Sequence, residues 1–421
     1  MALELAFTSP CTVKKLRSGP LGELLDGFCD WLLEHGFARL TVRTHLSNVS
    51  HLNEHLGARN GSGLKIVSLQ AVKGFLRQYP LQARNRGPLH EHLARVQFSI
   101  SRFIEYLCSA DLFEPSANTP IYQPLRDAYL QWMRDYQHAA AGTIELRSRS
   151  ISQFLQWLGP QATPQGCLAL SAETVECFFL SYAQKMGRSA RRSMQAALRT
   201  FLRFCLYQGY VQRPLDRAVP TLRTYKLATV PRGLTDEQAL KVLRSIDRNT
   251  NVGRRDYAIT KLLYTYGVRG GQVRALRLED INWALNQILF RASKHGKDSL
   301  LPLTTEVGES LLEYLKSARP RSSDPHVFLT SRAPYHALLH ANALSAVVER
   351  HLRKAGIELS SKGAHAFRHG FATRMLQQGH SLKAIADVLG HRHLGTTFIY
   401  TKVDFNSLKE VALPWPQEVA P

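Results

Sequence analysis

The sequence predicts a mainly α-helical protein, with two tandem all-helical domains followed by a third, mostly helical domain that carries one small antiparallel sheet. Three observations predict it. Apolar residues recur at helical spacing along most of the chain. A pattern in the first hundred residues returns in the second hundred at a nearly constant offset. Only one stretch, residues 287–293 and 299–303 around the turn KHGKD, reads as a β-hairpin.

Residues 21–57 have helical periodicity around Trp31, and Thr41 is placed to open a helix that ends at Leu56-Gly57. Trp132 follows Trp31 by 101 positions, while Thr143 follows Thr41 and Leu158-Gly159 follows Leu56-Gly57 by 102. Ser68, Val72 and Phe75 are echoed by Ser171, Val175 and Phe178, and RFIEYLCSADLFEP by TFLRFCLYQGYVQRP. These correspondences define residues 18–117 and 120–216 as two copies of one helical domain. Residues 217–232, proline-rich and without periodicity, read as a linker. The third domain, 233–403, opens at Thr235-x-x-Gln238, a capping box, and is expected to be helical throughout from about residue 304. In the tail, 404–421, Phe405, Leu408, Val411 and Leu413 recur at near-helical intervals until Pro414-Trp415-Pro416 ends the pattern.

The 421 residues carry 54 Lys and Arg against 33 Asp and Glu, a net charge of +21. Such an excess selects a polyanionic partner, because neutralising phosphates releases counterions. Nucleic acid, DNA or RNA, is the expected partner rather than a membrane, since no long basic amphipathic helix with a strong apolar face is present. No run of about 18 apolar residues could span a bilayer, and no apolar signal-peptide core opens the chain. The expected location is therefore cytoplasmic, associated with the nucleoid. Cys11, Cys29, Cys108, Cys167, Cys177 and Cys205 form no C-x-x-C pair and read as reduced thiols used as small apolar residues. Between residues 121 and 230, fourteen Lys and Arg stand against six Asp and Glu. There, Arg188, Arg191, Arg192, Arg199 and Arg203 fall at helical spacings beside an apolar stripe, a candidate phosphate-contacting face.

The chemistry concentrates in residues 363–403. His365-x-x-Arg368 puts both side chains on one helix face. Leu389-Gly390 reads as a helix end with the glycine left-handed, and Thr396 as the N-cap of a further helix bearing Tyr400 about one turn in. Breaking a phosphodiester without a metal requires arginines to hold the phosphoryl oxygens, a nucleophile, and an acid for the leaving oxygen. Zinc is disfavoured. The pairs His365-x-x-x-His369 and His391-x-His393 lack the glutamate of H-E-x-x-H and any Cys, Asp or Glu cluster to complete them. His369 and His393 read as structural or phosphate-contacting.

LLYTYGVRGGQVRALRLEDI, the SKHGK hairpin, HAFRHGFATRML and LGHRHLGTTFIYT, in this order and spacing, resemble the tyrosine recombinases, the phage-integrase and Xer-like site-specific DNA recombinases. The resemblance implies that the helical copies are core-binding-type (SAM-like) domains and that 233–403 is the catalytic domain. It implies a catalytic set of Arg269, Lys294, His365, Arg368, His391 and Tyr400, with Lys297 a less favoured alternative to Lys294 and a DNA contact. Tyr400 would attack the scissile phosphate to give a 3′-phosphotyrosine and a free 5′-hydroxyl, with neither metal nor cofactor. It also implies double-stranded DNA as the partner, a homotetramer on two such DNA sites, closed by head-to-tail exchange of the tail, and possible accessory recombinases. The biological setting would be integration, excision or transposition of a mobile element.

Two departures stand out. Gln272 occupies a position, three residues after the first arginine, where this family commonly has an acid, and the helical domain is duplicated. The second copy is expected to clamp the core site with the catalytic domain, and the first to act as an arm domain that extends the footprint or meets a neighbouring protomer. Two rival readings share these residues: a type IB topoisomerase relaxing supercoils, and a non-catalytic DNA-binding regulator of the same descent. The duplicated domain and the LGH…TT..Y spacing favour the recombinase over the first. The intact set of six residues speaks against the second.

Overall fold

Helices α1 (Ala2–Ala6) and α2 (Pro10–Arg17) precede the first copy, which comprises α3 (Gly22–Glu34), α4 (Arg39–Gly57), β1 (Val67–Ser68), α5 (Leu69–Gln82), α6 (Leu89–Ser109) and β2 (Phe113–Glu114). The second has α7 (Gln123–Asp135), α8 (Ala141–Leu158), α9 (Ala172–Lys185) and α10 (Arg188–Tyr207). The third domain runs α11 (Asp236–Arg244), α12 (Asn251–Tyr266), α13 (Gly270–Ala275), β3 (Ile281–Asn282), β4 (Gln287–Phe290), β5 (Ser299–Pro302), α14 (Thr305–Ser317), α15 (Ala343–Lys354), α16 (Ala364–Gln377) and α17 (Leu382–Val388). This computed structural model describes residues 2–57, 66–82, 88–114, 119–222, 233–292, 298–338, 340, 342–359, 363–390 and 397. Its Cα framework divides into two units, 1–114 with 227–421, and 115–226.

The two copies repeat an aromatic constellation as well as a helix order. Phe28 meets Phe103 edge to face at 5.1 Å, and Tyr129 meets Phe201 in the same way at 5.3 Å. Phe28 stacks on Trp31 at 6.2 Å, and Tyr129 on Trp132 at 6.5 Å. Trp31 lies 6.4 Å from Tyr106, and Trp132 5.7 Å from Phe204. In each set the inner rings are buried and the outer ones half-buried against them, on helices whose apolar residues recur three and four apart, so one stripe of each helix enters the core. Thr41 and Thr143 correspond, but neither opens its helix. Each is the third residue of one, because α4 starts at Arg39 and α8 at Ala141. The first copy also contains a short parallel pairing, Val67 with Phe113, which the sequence does not announce.

In the third domain α12 is buried on nearly every side and packs against α14 and α16. Its Asp256 is wholly buried and accepts from Arg350 Nη2 at 2.9 Å and from Arg255 Nη2 at 2.9 Å, with His351 Nε2 3.0 Å away. Burial would raise this carboxyl's pKa, but the imidazole and the two guanidiniums hold it below the ordinary carboxylate value. The expected hairpin is present as β4 and β5, paired Ile288 to Leu301 and Phe290 to Ser299, with β3 on the outer side of β4. Thr235 and Gln238 form the expected capping box.

One expectation fails here. Residues 318–338 are not helical, because Pro320, Pro325 and Pro334 cannot donate to a helix and Arg319 stabilises an irregular path instead. Its Nη2 donates to the carbonyls of Asp324 at 2.6 Å and His326 at 2.8 Å. Among the described residues no helix is long and apolar enough to cross a membrane.

Candidate active site

The site is assembled where α12 ends, α16 passes and α17 stops. Gly267 ends α12 in the left-handed conformation, φ +59°. A Cβ there would fall 2.5 Å from the Phe371 ring, so glycine is required both by the turn and by the close approach of α16. Two residues on, Arg269 is extended, between α12 and α13. Arg368, 4% exposed on α16, donates from Nη1 to the Gly267 carbonyl at 2.9 Å and from Nη2 to the Leu389 carbonyl at 2.7 Å. Arg269 Nη1 reaches the next carbonyl, that of Gly390, at 3.4 Å. Gly390 is left-handed, φ +62°, as its place after Leu389 predicts. Two guanidiniums thus converge on the main chain immediately before His391.

His365 precedes Arg368 by one turn of α16 and is exposed. His369 is half-buried, its ring centroid 6.2 Å from that of His365. Burial, and then the charges of His365 and Arg368, push the His369 pKa below the ordinary imidazole value. That keeps the imidazole neutral at physiological pH and suits a structural role. Among the described residues no group of three His, Cys, Asp or Glu could hold a metal.

Gln272 shows why an amide can stand at its position. It is 4% exposed, and its Oε1 accepts the Arg269 backbone N–H at 3.1 Å while its Nε2 donates to the Arg291 carbonyl at 3.4 Å. A carboxylate could accept the first bond but could not donate the second. Gln272 therefore links the main chain of the first arginine to the strand end from which the lysine loop leaves. Arg291 Nε is held in turn by the buried Asp280 at 2.8 Å, and Asp298 closes the base of the loop by accepting the Ala292 N–H at 2.6 Å.

A backbone crossing lies on the other side of α16. Leu234 N–H donates to the Ala366 carbonyl at 3.2 Å, between His365 and Arg368. A Cβ on Gly233 would fall 2.3 Å from the Gly370 nitrogen, and one on Gly370 2.3 Å from the Leu234 oxygen. Asp236, two residues on from Leu234, accepts from Arg374 Nη1 at 2.6 Å and Tyr264 Oη at 2.9 Å. Neither this crossing nor the Gln272 link carries a sequence signal beyond the presence of the glycines and the glutamine.

Lys294, Lys297, His391, His393, Thr396, Tyr400 and the tail 404–421 lie outside the described residues, as do 223–232 of the linker. Thr397, three residues before Tyr400, is fully buried. On α10 the five arginines are used unequally. Arg199 Nη2 donates to the Val219 carbonyl at 2.9 Å and to Thr221 Oγ1 at 2.7 Å, Arg203 Nε to Asp216 at 2.8 Å, and Arg191 Nε to the Met186 carbonyl at 2.6 Å. Arg188 and Arg192 are exposed.

Residues 232–407 match the phage integrase family. The chain is 32% identical over 407 residues to an integrase/recombinase of Sinorhizobium fredii, y4rA, covering 95% of this chain and 96% of that protein. It is 30% identical over 282 residues to the tyrosine recombinase XerA of Pyrococcus furiosus, covering 63% and 93%. A solved structure of the XerH site-specific recombinase bound to a palindromic difH substrate, a post-cleavage complex, shares the fold at a TM-score of 0.54 and 20% identity, over 82% of this chain and 95% of that one. A lambda integrase dimer bound to a COC′ core site does so at 0.51 and 16%, over 70% and 98%. The mostly helical fold with its small sheet, together with these relatives, places the chain in the class of DNA strand-transferring recombinases. Within that class, the chain belongs to the tyrosine recombinase, or phage integrase, family.

Proposed function

We propose that this recombinase cuts and rejoins DNA through a 3′-phosphotyrosyl intermediate at Tyr400. The observation that supports this most directly is the convergence of Arg269 and Arg368 on the carbonyls of Gly390 and Leu389, one and two residues before His391. The phenolate oxygen of Tyr400 attacks phosphorus, and the bond from phosphorus to the 5′ oxygen breaks. Lys294 delivers a proton to that oxygen as it leaves. Arg269 and Arg368 hold the non-bridging oxygens as charge builds, and guanidinium suits this because it stays protonated and presents two parallel donors. His365 assists ionisation of the phenol, whose reference pKa is near 10, and His391 contributes a further hydrogen bond to the phosphate. Attack by the 5′-hydroxyl of another strand reverses the step, so the bond energy is conserved without metal or cofactor.

The assembly we infer is a homotetramer on two duplex sites in the cytoplasm, at the nucleoid, serving integration, excision or transposition of a mobile element. Residues 120–216 are the core-binding domain, with Arg188 and Arg192 as its phosphate contacts; Arg191, Arg199 and Arg203 chiefly shape that surface. Residues 217–232 are the linker, 233–403 the catalytic domain and 404–421 a docking tail. The test is a duplex nicked beside the scissile phosphate, which traps the covalent adduct. Wild-type protein should accumulate it, and Tyr400→Phe should bind the duplex normally and form none. An undiminished adduct in the variant removes Tyr400 from the role.

A further inference from the structure

The two helical copies differ most where their last long helices should be alike. Aligned by burial, α6 and α10 keep a constant spacing of 98 residues: Val96, Ser99, Ile100, Phe103 and Leu107 correspond to Met194, Ala197, Leu198, Phe201 and Cys205, all buried. At that spacing the five arginines of α10 correspond to His90, Leu93, Ala94, Ser101 and Glu105 in α6. The arginine row is absent at every position. The copies as wholes agree with this, since residues 18–117 hold ten Lys and Arg against nine Asp and Glu, whereas 120–216 hold eleven against six. A nearly neutral surface has little counterion release to gain from DNA.

The first copy carries something else instead. Phe98, 53% exposed, stands where the second copy has Ala196, and the Arg102 guanidinium lies over its ring at 5.2 Å. These two side chains line one side of a groove of about 300 Å³, whose other side includes Thr330, Ala333, Pro334 and Leu338 of the catalytic domain. Ala333 packs against the first copy's own core. At Gly36, φ +81°, the Tyr335 ring comes within 3.1 Å of where a Cβ would stand. The segment that presents these groups is stiff. Arg255 Nη1 holds the Leu329 carbonyl at 3.1 Å, Thr330 Oγ1 donates to the Pro334 carbonyl at 2.9 Å, and Asp324 accepts the Ala337 N–H at 2.8 Å. Residues 1–114 and the catalytic domain accordingly form one unit, from which 115–226 is separate.

We propose that the first helical copy is a protein-docking module whose partner is the 330–338 segment of its own catalytic domain, and that it makes no phosphate contacts. Contact with DNA then rests on the second copy and the catalytic domain, which is the one point where this inference leans on the function proposed above. It replaces the arm-domain role expected from the sequence. A duplicated DNA-binding fold has exchanged its charged face for an apolar anchor.

The full-length protein tests both halves. Phe98→Glu on one side of the groove and Tyr335→Ala on the other should each raise amide hydrogen exchange across residues 330–337 at least about tenfold, following the loss of local protection. Tyr335→Ala leaves the first copy's own core intact, so it decides the matter if Phe98→Glu unfolds that copy. Unchanged exchange in Tyr335→Ala overturns the docking. In gel shifts across a salt series, Arg95→Ala, which removes an exposed cation of α6, should leave affinity and salt slope unchanged, whereas Arg192→Ala should lower the slope by about 1. A lowered slope in Arg95→Ala overturns the claim that the first copy avoids phosphate. An unchanged slope in Arg192→Ala overturns the nucleic-acid assignment of the second copy, while the exchange result still decides the docking.

Discussion

Arg269 and Arg368, on different elements, donate into successive main-chain oxygens: Arg368 Nη2 to Leu389 at 2.7 Å and Arg269 Nη1 to Gly390 at 3.4 Å. The end of α17 is thereby held by the same groups to which the proposed function gives the phosphate. Each guanidinium has five donors, so one edge can grip the protein while another faces the substrate. A lysine at position 368 keeps the charge but has one ammonium and no fork, and it cannot span Gly267 and Leu389 while presenting donors to DNA. Arg368→Lys should slow single-turnover cleavage of a nicked duplex by about 10²–10³-fold, the usual loss for a transition-state donor. Duplex affinity measured by gel shift should change little, since most of it resides in other phosphate contacts.

Gln272→Glu restores the acid common in this family, and in this chain it should be harmful. The new carboxylate would face the Arg291 carbonyl that Gln272 Nε2 now serves, in a site only 4% exposed. Losing that bond and leaving the oxygen unsatisfied costs about 1–3 kcal/mol. A lowered melting temperature together with slower cleavage is the expected outcome, whereas a melting temperature at or above that of wild type would show that the amide link carries no weight.

Tyr129 takes the place that Phe28 holds in the first copy, yet its hydroxyl is buried and has no hydrogen-bond partner among the described residues. Burial pushes the phenol well above its ordinary pKa, so the group is neutral and unserved. Tyr129→Phe should stabilise the second copy by about 1 kcal/mol. Slower hydrogen exchange in α7 and α10, about fivefold for that energy, would register it.

His45 gives the first copy a pH dependence. It is 4% exposed beside Ser99 Oγ at 3.0 Å, and burial, followed by the charge of Arg102, pushes its pKa down to about 4. The unfolded chain takes up the proton near pH 6.5, whereas the folded chain resists it until about 4. Stability is therefore unaffected above pH 6.5 and falls as the pH drops between those values, by up to about 3 kcal/mol at roughly 1.4 kcal/mol per unit. Protection factors of the α4 and α6 amides, corrected for the intrinsic pH dependence of exchange, should fall as the pH drops over that range in wild type and stay flatter in His45→Gln.

Local features of the fold are legible in the sequence, and contacts between distant segments are not. The spacing from Trp31 to Trp132 suggests a duplication because core-packed aromatic positions recur with their helices, and the ring distances in the two segments are similar. Leu389-Gly390 announces a left-handed helix end because only backbone geometry is involved. Arg199 and Arg203, by contrast, look like a continuous charged face until residues 213–221 fold back and take up part of their donor capacity. Periodicity gives no notice of the irregular path at 318–338, where the arginine that stabilises it is a charged residue like any other. Gln272 reads as a missing charge, and its use as both donor and acceptor emerges only once Arg291 lies beside it.

The crossing of Gly233 and Gly370 has a mechanical consequence. The chain entering the catalytic domain is laid directly on the helix that carries His365 and Arg368, held by the bond from Leu234 to Ala366 and by Asp236 gripping Arg374. Any displacement of residues 233 and 234 therefore meets the middle of α16 through direct backbone contact. A side chain at either glycine would wedge the two strands of this joint apart.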